Sequence, residues 1–161
     1  MDISMFMTNW IWTADWTAED DKNTHIVYFR KMTELQEVPS ECKLKITADS
    51  CYKLYINGQF VEKGPQKAIN LKEWFVDTVD ITAFLKPGKN VAAVEVIRFP
   101  ENCFSSTAPN TNDSLLRTPV AHLFVQTLGG GENKGCFDAK NGWKACVNRE
   151  TEITGENSRP A

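Results

Sequence analysis

At 161 residues, with 42% hydrophobic and 24% charged side chains, the chain has the size and composition of one globular domain that can bury its own core. The formal net charge is −3 and the lysines and arginines are scattered, which argues against nucleic acid or an anionic membrane as a partner. No stretch approaches the roughly 20 apolar residues of a membrane span. The cysteines number five, with no CxxC spacing and only His25 and His122 to add imidazoles, so neither a complete disulfide framework nor a zinc site is expected.

The N-terminus, Met1-Asp2-Ile3, lacks the positive region and apolar core of a secretory signal. Residues 1–23 hold Trp10, Trp12 and Trp16 and are read as a tryptophan-rich segment packed on the domain that follows. Strands then dominate. His25 to Leu35 alternates, with Ile26, Tyr28 and Arg30 on one face and Val27, Phe29 and Lys31 on the other. Pro39 breaks that run, since proline cannot continue a central strand. Cys42, Leu44 and Ile46 alternate against Lys43, Lys45 and Thr47, which makes Cys42 a small buried hydrophobe.

Next comes Asn57-Gly58 between two alternating runs, a strong signal for a two-residue type I′ hairpin, whose central residues both need φ > 0. The implied register sets Ile56 opposite Gln59, Tyr55 opposite Phe60, Leu54 opposite Val61 and Lys53 opposite Glu62. Trp74 to Val79 is a further apolar run. A single helical turn is expected near Thr82 to Leu85, capped by Asp80 or Thr82. Pro87-Gly88 suits a type II turn. Val91 to Ile97 and Val120 to Leu128 are strands, and a last pair is expected over Cys136-Phe137 and Trp143 to Val147. No window carries a helical period. The fold class is therefore all-β, an antiparallel β-sandwich of the jelly-roll kind over residues 24–147, with a long loop at 100–119 and a polar tail or linker at 148–161.

The segment Asn57-Gly58-x-x-Val61-x-x-Gly64-Pro65, followed by Asp77-x-x-Asp80-Ile81-Thr82-x-x-Leu85-Lys86-Pro87-Gly88-Lys89-Asn90, resembles the N-terminal β-sandwich domain of bacterial α-L-rhamnosidases. Trp12, the Tyr28 to Lys31 strand and Ala48-Asp49 fit the same pattern, and the resemblance spans about Trp10 to Ile97. A looser version occurs in the jelly-roll domains of β-galactosidases and β-glucuronidases, all with a galactose-binding-like fold. The physical content of the motif residues Asn57, Gly58, Gly64, Pro65, Asp80, Thr82, Pro87, Gly88 and Asn90 is structural: turns and caps.

The resemblance implies that the acids which cleave the glycosidic bond lie in a separate helical barrel, absent from these 161 residues. The chain alone is thus expected to turn over no substrate. Its expected partners are the catalytic domain of a parent hydrolase and a rhamnose-containing glycan, in a periplasmic or secreted setting. Sugars present C–H faces to aromatic rings and hydroxyls to fixed polar groups. Trp16, Trp74 and Arg98 are therefore the candidate carbohydrate-binding residues, with core packing and an ion pair as their structural alternatives. The recognition surface is expected on the 100–119 loop and the segment Gly64 to Trp74. Asp77 and Asp80 would diverge on a strand and read as turn caps, not a catalytic pair. No catalytic residue, metal ligand or cofactor is assigned. The acidic turn Glu19-Asp20-Asp21 leaves calcium open. A free-standing lectin-like protein and a purely structural module are the alternative functions.

Overall fold

A computed structural model describes residues 10–65, 75–100, 120–140 and 142–150. Nine strands lie among them: β1 (Trp10–Ile11), β2 (His25–Leu35), β3 (Cys42–Ala48), β4 (Cys51–Ile56), β5 (Gln59–Gly64), β6 (Asp77–Asp80), β7 (Gly88–Arg98), β8 (Leu123–Gly129) and β9 (Lys144–Asn148). They form two antiparallel sheets, ordered β1-β8-β3-β6 and β5-β4-β7-β2-β9. The expected all-β sandwich is the observed fold. The predicted alternation is visible in burial. Val27 and Phe29 of β2, Leu54 and Ile56 of β4, and Val94 and Val96 of β7 face Cys42, Leu44 and Ile46 of β3 and Leu123 and Val125 of β8 across one core. Each sheet thus keeps one apolar face, because side chains alternate at a period of two.

Three features depart from the expected pattern. Ile56 faces Gln59 and Tyr55 faces Phe60 as expected, and both Asn57 (φ 53°) and Gly58 (φ 81°) are left-handed. Beyond Tyr55 the register slips, so that Leu54 faces Glu62 and Lys53 faces Lys63, not Val61 and Glu62. β5 is an edge strand, where an extra residue is tolerated and bends the edge. Lys53 finds its counter-charge on the other neighbour, with Nζ 2.8 Å from Glu95 of β7. Second, Cys136-Phe137 is not a strand. It lies in a turn that folds back along β8, where the Phe137 N–H donates to Thr127 Oγ1 (3.0 Å) and the Ala139 N–H to the Val125 carbonyl (3.0 Å). Third, the N-terminal segment contributes β1 to an edge of the four-stranded sheet, where Trp10 lies opposite Phe124.

The motif residues scattered between 57 and 90 converge at one end of the sandwich. The fully buried Asn90 side chain accepts from the Asn57 amide (2.9 Å) and the Lys86 N–H (3.0 Å), and donates to the carbonyls of Lys86 (2.7 Å) and Gly88 (2.9 Å). Asn57 in turn donates to the Phe84 carbonyl and accepts from the Val91 N–H, each at 2.9 Å. The hairpin turn is thereby tied to the 3₁₀ turn Thr82–Phe84 and to β7. Asp80 accepts from the Thr82 N–H (2.9 Å) and hydroxyl (2.7 Å), as a turn cap should. Gly88, at φ 84°, has the backbone that the second central position of a type II turn demands. Asn90→Ala removes four satisfied bonds from a buried site and leaves backbone groups without partners. The expected cost is about 2–4 kcal/mol in denaturant unfolding, with an unchanged slope.

Candidate functional site

At the opposite end of the sandwich β3 hands the chain to β4. There Asp49-Ser50 carries the backbone from one sheet to the other, through a cis peptide bond. The Asp49 N–H donates to the His122 carbonyl (3.0 Å) and the Ser50 N–H to the Ile97 carbonyl (3.1 Å), so the crossing is pinned on both sides. The described ends of 64–75 and of 100–120 also lie at this end of the strands: Gly64 pairs with Tyr52, and Arg98 with His25.

Arg98 is 0% exposed. Its Nη1 lies 2.7 Å from Asp49 Oδ1, which is also 0% exposed, and its Nε and Nη2 lie 3.4 and 3.3 Å from Asp21 Oδ1. The residue expected to meet a sugar or to form a surface or interface ion pair therefore sits in an interior ion pair at the sheet crossing. The cause is register: inward positions alternate along β7, and Arg98 continues the row of Val94 and Val96. Trp16 is half-buried. Its ring packs edge-on against Trp12 (centroids 5.3 Å apart) and His25 (5.6 Å), and Trp12 packs on Phe29 (5.5 Å). The indole N–H groups of Trp12 and Trp16 are buried and meet no acceptor among the described residues. Trp74 lies outside the described residues, as does most of the 100–119 loop.

The acidic turn resolves into two separate duties. Asp20 accepts from the Thr17 N–H and hydroxyl, each at 2.8 Å, and pairs with Arg149. Asp21 turns to Arg98. Among the described residues, no three His, Cys, Asp or Glu side chains gather as a metal-binding group. Arg149 beside Asp20 holds its carboxyl well below the usual carboxylate range; burial opposes this, and the Thr17 bonds add to it. The sequence reading gave Asp49 and Asp21 no ion-pair role, and Arg149 none at all. A strand-to-strand junction of only two residues at Asp49-Ser50 was the available signal for the first. Arg149 is 129 residues from Asp20, and nothing local announces the pair.

Beside this corner, on the outer face of the five-stranded sheet, lies a shallow cleft of about 250 Å³. Its lining includes Cys51, Lys53, Glu95 and Ile97, with Gly64 and Pro65 at the rim. The rim is rigid for a local reason. The Tyr52 hydroxyl donates to Asp77 Oδ2 (2.7 Å) directly behind Gly64, and a Cβ at Gly64 would overlap that carboxylate. Burial, and then the bond to Asp77, push the Tyr52 phenol well above its ordinary range, so it stays a neutral donor. The cleft pairs an apolar floor with the Lys53–Glu95 ion pair, a chemistry suited to one small polyol.

No family model matches the chain, and no curated protein matches it. Among solved structures it is similar to a GH78 family rhamnosidase of Bacillus sp. GL1, with 26% identity and a TM-score of 0.62 over 87% of this chain. The chain is similar to one domain of α-L-rhamnosidases. It spans 13% of that Bacillus chain. The α-L-rhamnosidase of Dictyoglumus thermophilum shares the fold at 16% identity and a TM-score of 0.50, over 76% of this chain and 12% of its own.

Two outcomes follow. Arg98→Met takes the guanidinium away from the buried Asp49 carboxylate, and stability should fall by about 3–5 kcal/mol, read by denaturant unfolding. The pH profile of Asp20→Asn has a definite sign. A carboxyl whose folded pKa is depressed stabilises the fold above its unfolded value, near about 4, and loses that contribution as pH falls. The variant should be less stable than wild type at neutral pH, and the gap should close progressively in acid.

Proposed function

We propose that this chain is a non-catalytic accessory module of an α-L-rhamnosidase-like glycoside hydrolase, and that it packs beside the catalytic domain. The observation that carries this reading is the match of 87% of the chain to 13% of a rhamnosidase, at 26% identity. Glycosidic cleavage needs two carboxyl groups flanking one bond. At the candidate corner, Asp49 and Asp21 are held by Arg98, and Asp20 by Arg149, which suits them to scaffolding.

The outer face of the five-stranded sheet supports packing. Tyr28 (43% exposed), Met32 (59%) and Phe60 (53%) stand on it. Tyr55 lies between Phe60 and Ala93 in register, and Met32 lies opposite Val91, so the apolar groups form a connected stripe. A stripe of this kind fits a neighbouring domain better than water.

Recognition of a rhamnose-containing glycan is the second reading, and the cleft between Lys53, Glu95, Ile97 and Gly64 favours it. In this reading Trp16 and Trp74 would supply stacking faces elsewhere at this end, and Arg98, withdrawn from solvent in its ion pair, would make no direct sugar contact.

The chain alone should release no p-nitrophenol from p-nitrophenyl α-L-rhamnoside; a rate abolished by substituting one carboxylate of this chain would overturn the module reading. Titration with L-rhamnose, followed by amide NMR shifts, separates the two roles. Saturable shifts at Lys53, Lys63 and Ile97 that vanish in Glu95→Ala establish recognition at the cleft. Unmoved spectra at high sugar concentration leave packing as the role.

A further inference from the structure

The cysteines were expected to be inert core residues, yet two of them share one cluster. Cys42 opens β3, is fully buried and lies opposite Gly129 of β8. After Gly129 the chain turns sharply, held by the Gly130 N–H on the Glu41 carbonyl (3.0 Å), and then doubles back along β8. Cys136 sits on this returning segment and packs against the core cluster that contains Cys42. The segment is anchored on both sides of the cysteine. The Cys136 N–H donates to the Asn133 carbonyl (3.1 Å), the Phe137 N–H to Thr127 Oγ1 (3.0 Å), and Lys31 Nζ to the Asp138 carbonyl (2.9 Å). The Cys136 side chain is thereby packed on the core cluster that contains Cys42, near enough for each thiol to shift the other's titration. Cys136 is partly exposed, so a reagent can reach one sulfur of the pair from solvent.

We propose that Cys42 and Cys136 form a reversible disulfide, with Cys136 as the attacking thiol and Cys42 as the resolving one. The surroundings divide these roles. The neighbouring Cys42 thiol lowers the Cys136 thiol below its ordinary range; burial opposes this, the Thr127 hydroxyl and the Lys31 charge assist, and Asp138 opposes. Cys42 is shifted upward by the Cys136 thiol, by burial and by the charges of Cys136 and Asp80. A low-molecular-weight disulfide such as oxidised glutathione is the co-reactant. The Cys136 thiolate attacks one of its sulfurs, that S–S bond breaks, and one glutathione thiolate leaves and takes up a proton. Capping Cys136 removes the negative charge that kept Cys42 protonated. Cys42 then loses its proton and attacks the Cys136 sulfur, and the second glutathione leaves as a thiol. Two protein thiols and one disulfide thus give one protein disulfide and two glutathione thiols. The new bond would tie β3 of one sheet to the connection that leads to β9 of the other.

The test is native oxidation of the full chain with oxidised glutathione, followed by alkylation, digestion and mass spectrometry. The expected product is about 2 Da lighter than the reduced chain and yields one crosslinked peptide pair joining Cys42 to Cys136. A variant with Cys51, Cys103 and Cys146 replaced by Ser should give the same link. Cys42→Ala should stall as a Cys136 adduct about 305 Da heavier, because no resolving thiol remains. Should Cys42→Ala fail to fold, the triple variant alone decides. A Cys136 adduct that persists in that variant while Cys42 stays alkylatable after unfolding overturns the proposal, as does a chain that remains fully reduced.

Discussion

The ion pair between Arg98 and Asp49 is the constraint around which this sandwich is arranged. Both side chains are withdrawn from solvent, and neither charge could remain there alone. Asp49 marks the point where the chain leaves one sheet, and Arg98 ends the central strand of the other. Their attraction therefore joins the two layers at a place where no backbone ladder can. Through Asp21 the same guanidinium reaches the turn before β2, and through Asp20 that turn reaches Arg149 just beyond β9. Four distant stretches of chain are gathered by three carboxylates and two guanidiniums.

The opposite end is closed by neutral amides instead. Asn57 and Asn90 satisfy one another and the backbone of two turns, with Asn90 fully buried. The two ends differ in consequence. The Asn57–Asn90 network is insensitive to pH, since neither amide titrates in the ordinary range. The charged end depends on ionised carboxylates and lies beside the cleft and the roots of the two long connections. A rigid scaffold that presents connecting segments at one end is a general way to carry a recognition or docking surface.

Much of this was legible beforehand, and the failures have definite causes. Asn57-Gly58 named its own turn because both residues need φ > 0, and the first two cross-strand pairs followed. The slip beyond Tyr55 was invisible, because Lys53 has two possible neighbours and only the sheet order shows that Glu95 of β7 takes it. Arg98 was placed correctly at the end of a strand, with an ion pair as one of its readings, but its burial was not foreseen. Its alternation with Val94 and Val96 pointed inward, but a buried arginine needs a carboxylate partner, and Asp49 is 49 positions earlier in sequence. Cys136-Phe137 carried apolar side chains like a strand, yet the Phe137 N–H is satisfied by a threonine side chain and not by a ladder.

By itself the sequence determined what local chemistry can determine: the period-two burial of each strand, the left-handed turn at Asn57-Gly58, the reversal at Pro87-Gly88, and a pattern similar to one domain of α-L-rhamnosidases. These depend on residues a few positions apart, whose steric and hydrogen-bonding preferences act in any context. Tertiary structure alone decided which charges would meet and which cysteines would share the core. Arg98 meets Asp49 only after the two sheets have stacked, and Asp20 meets Arg149 only after β9 has paired with β2. Such pairings cost chain entropy that the whole core must offset, so no short stretch of sequence contains the reason for them.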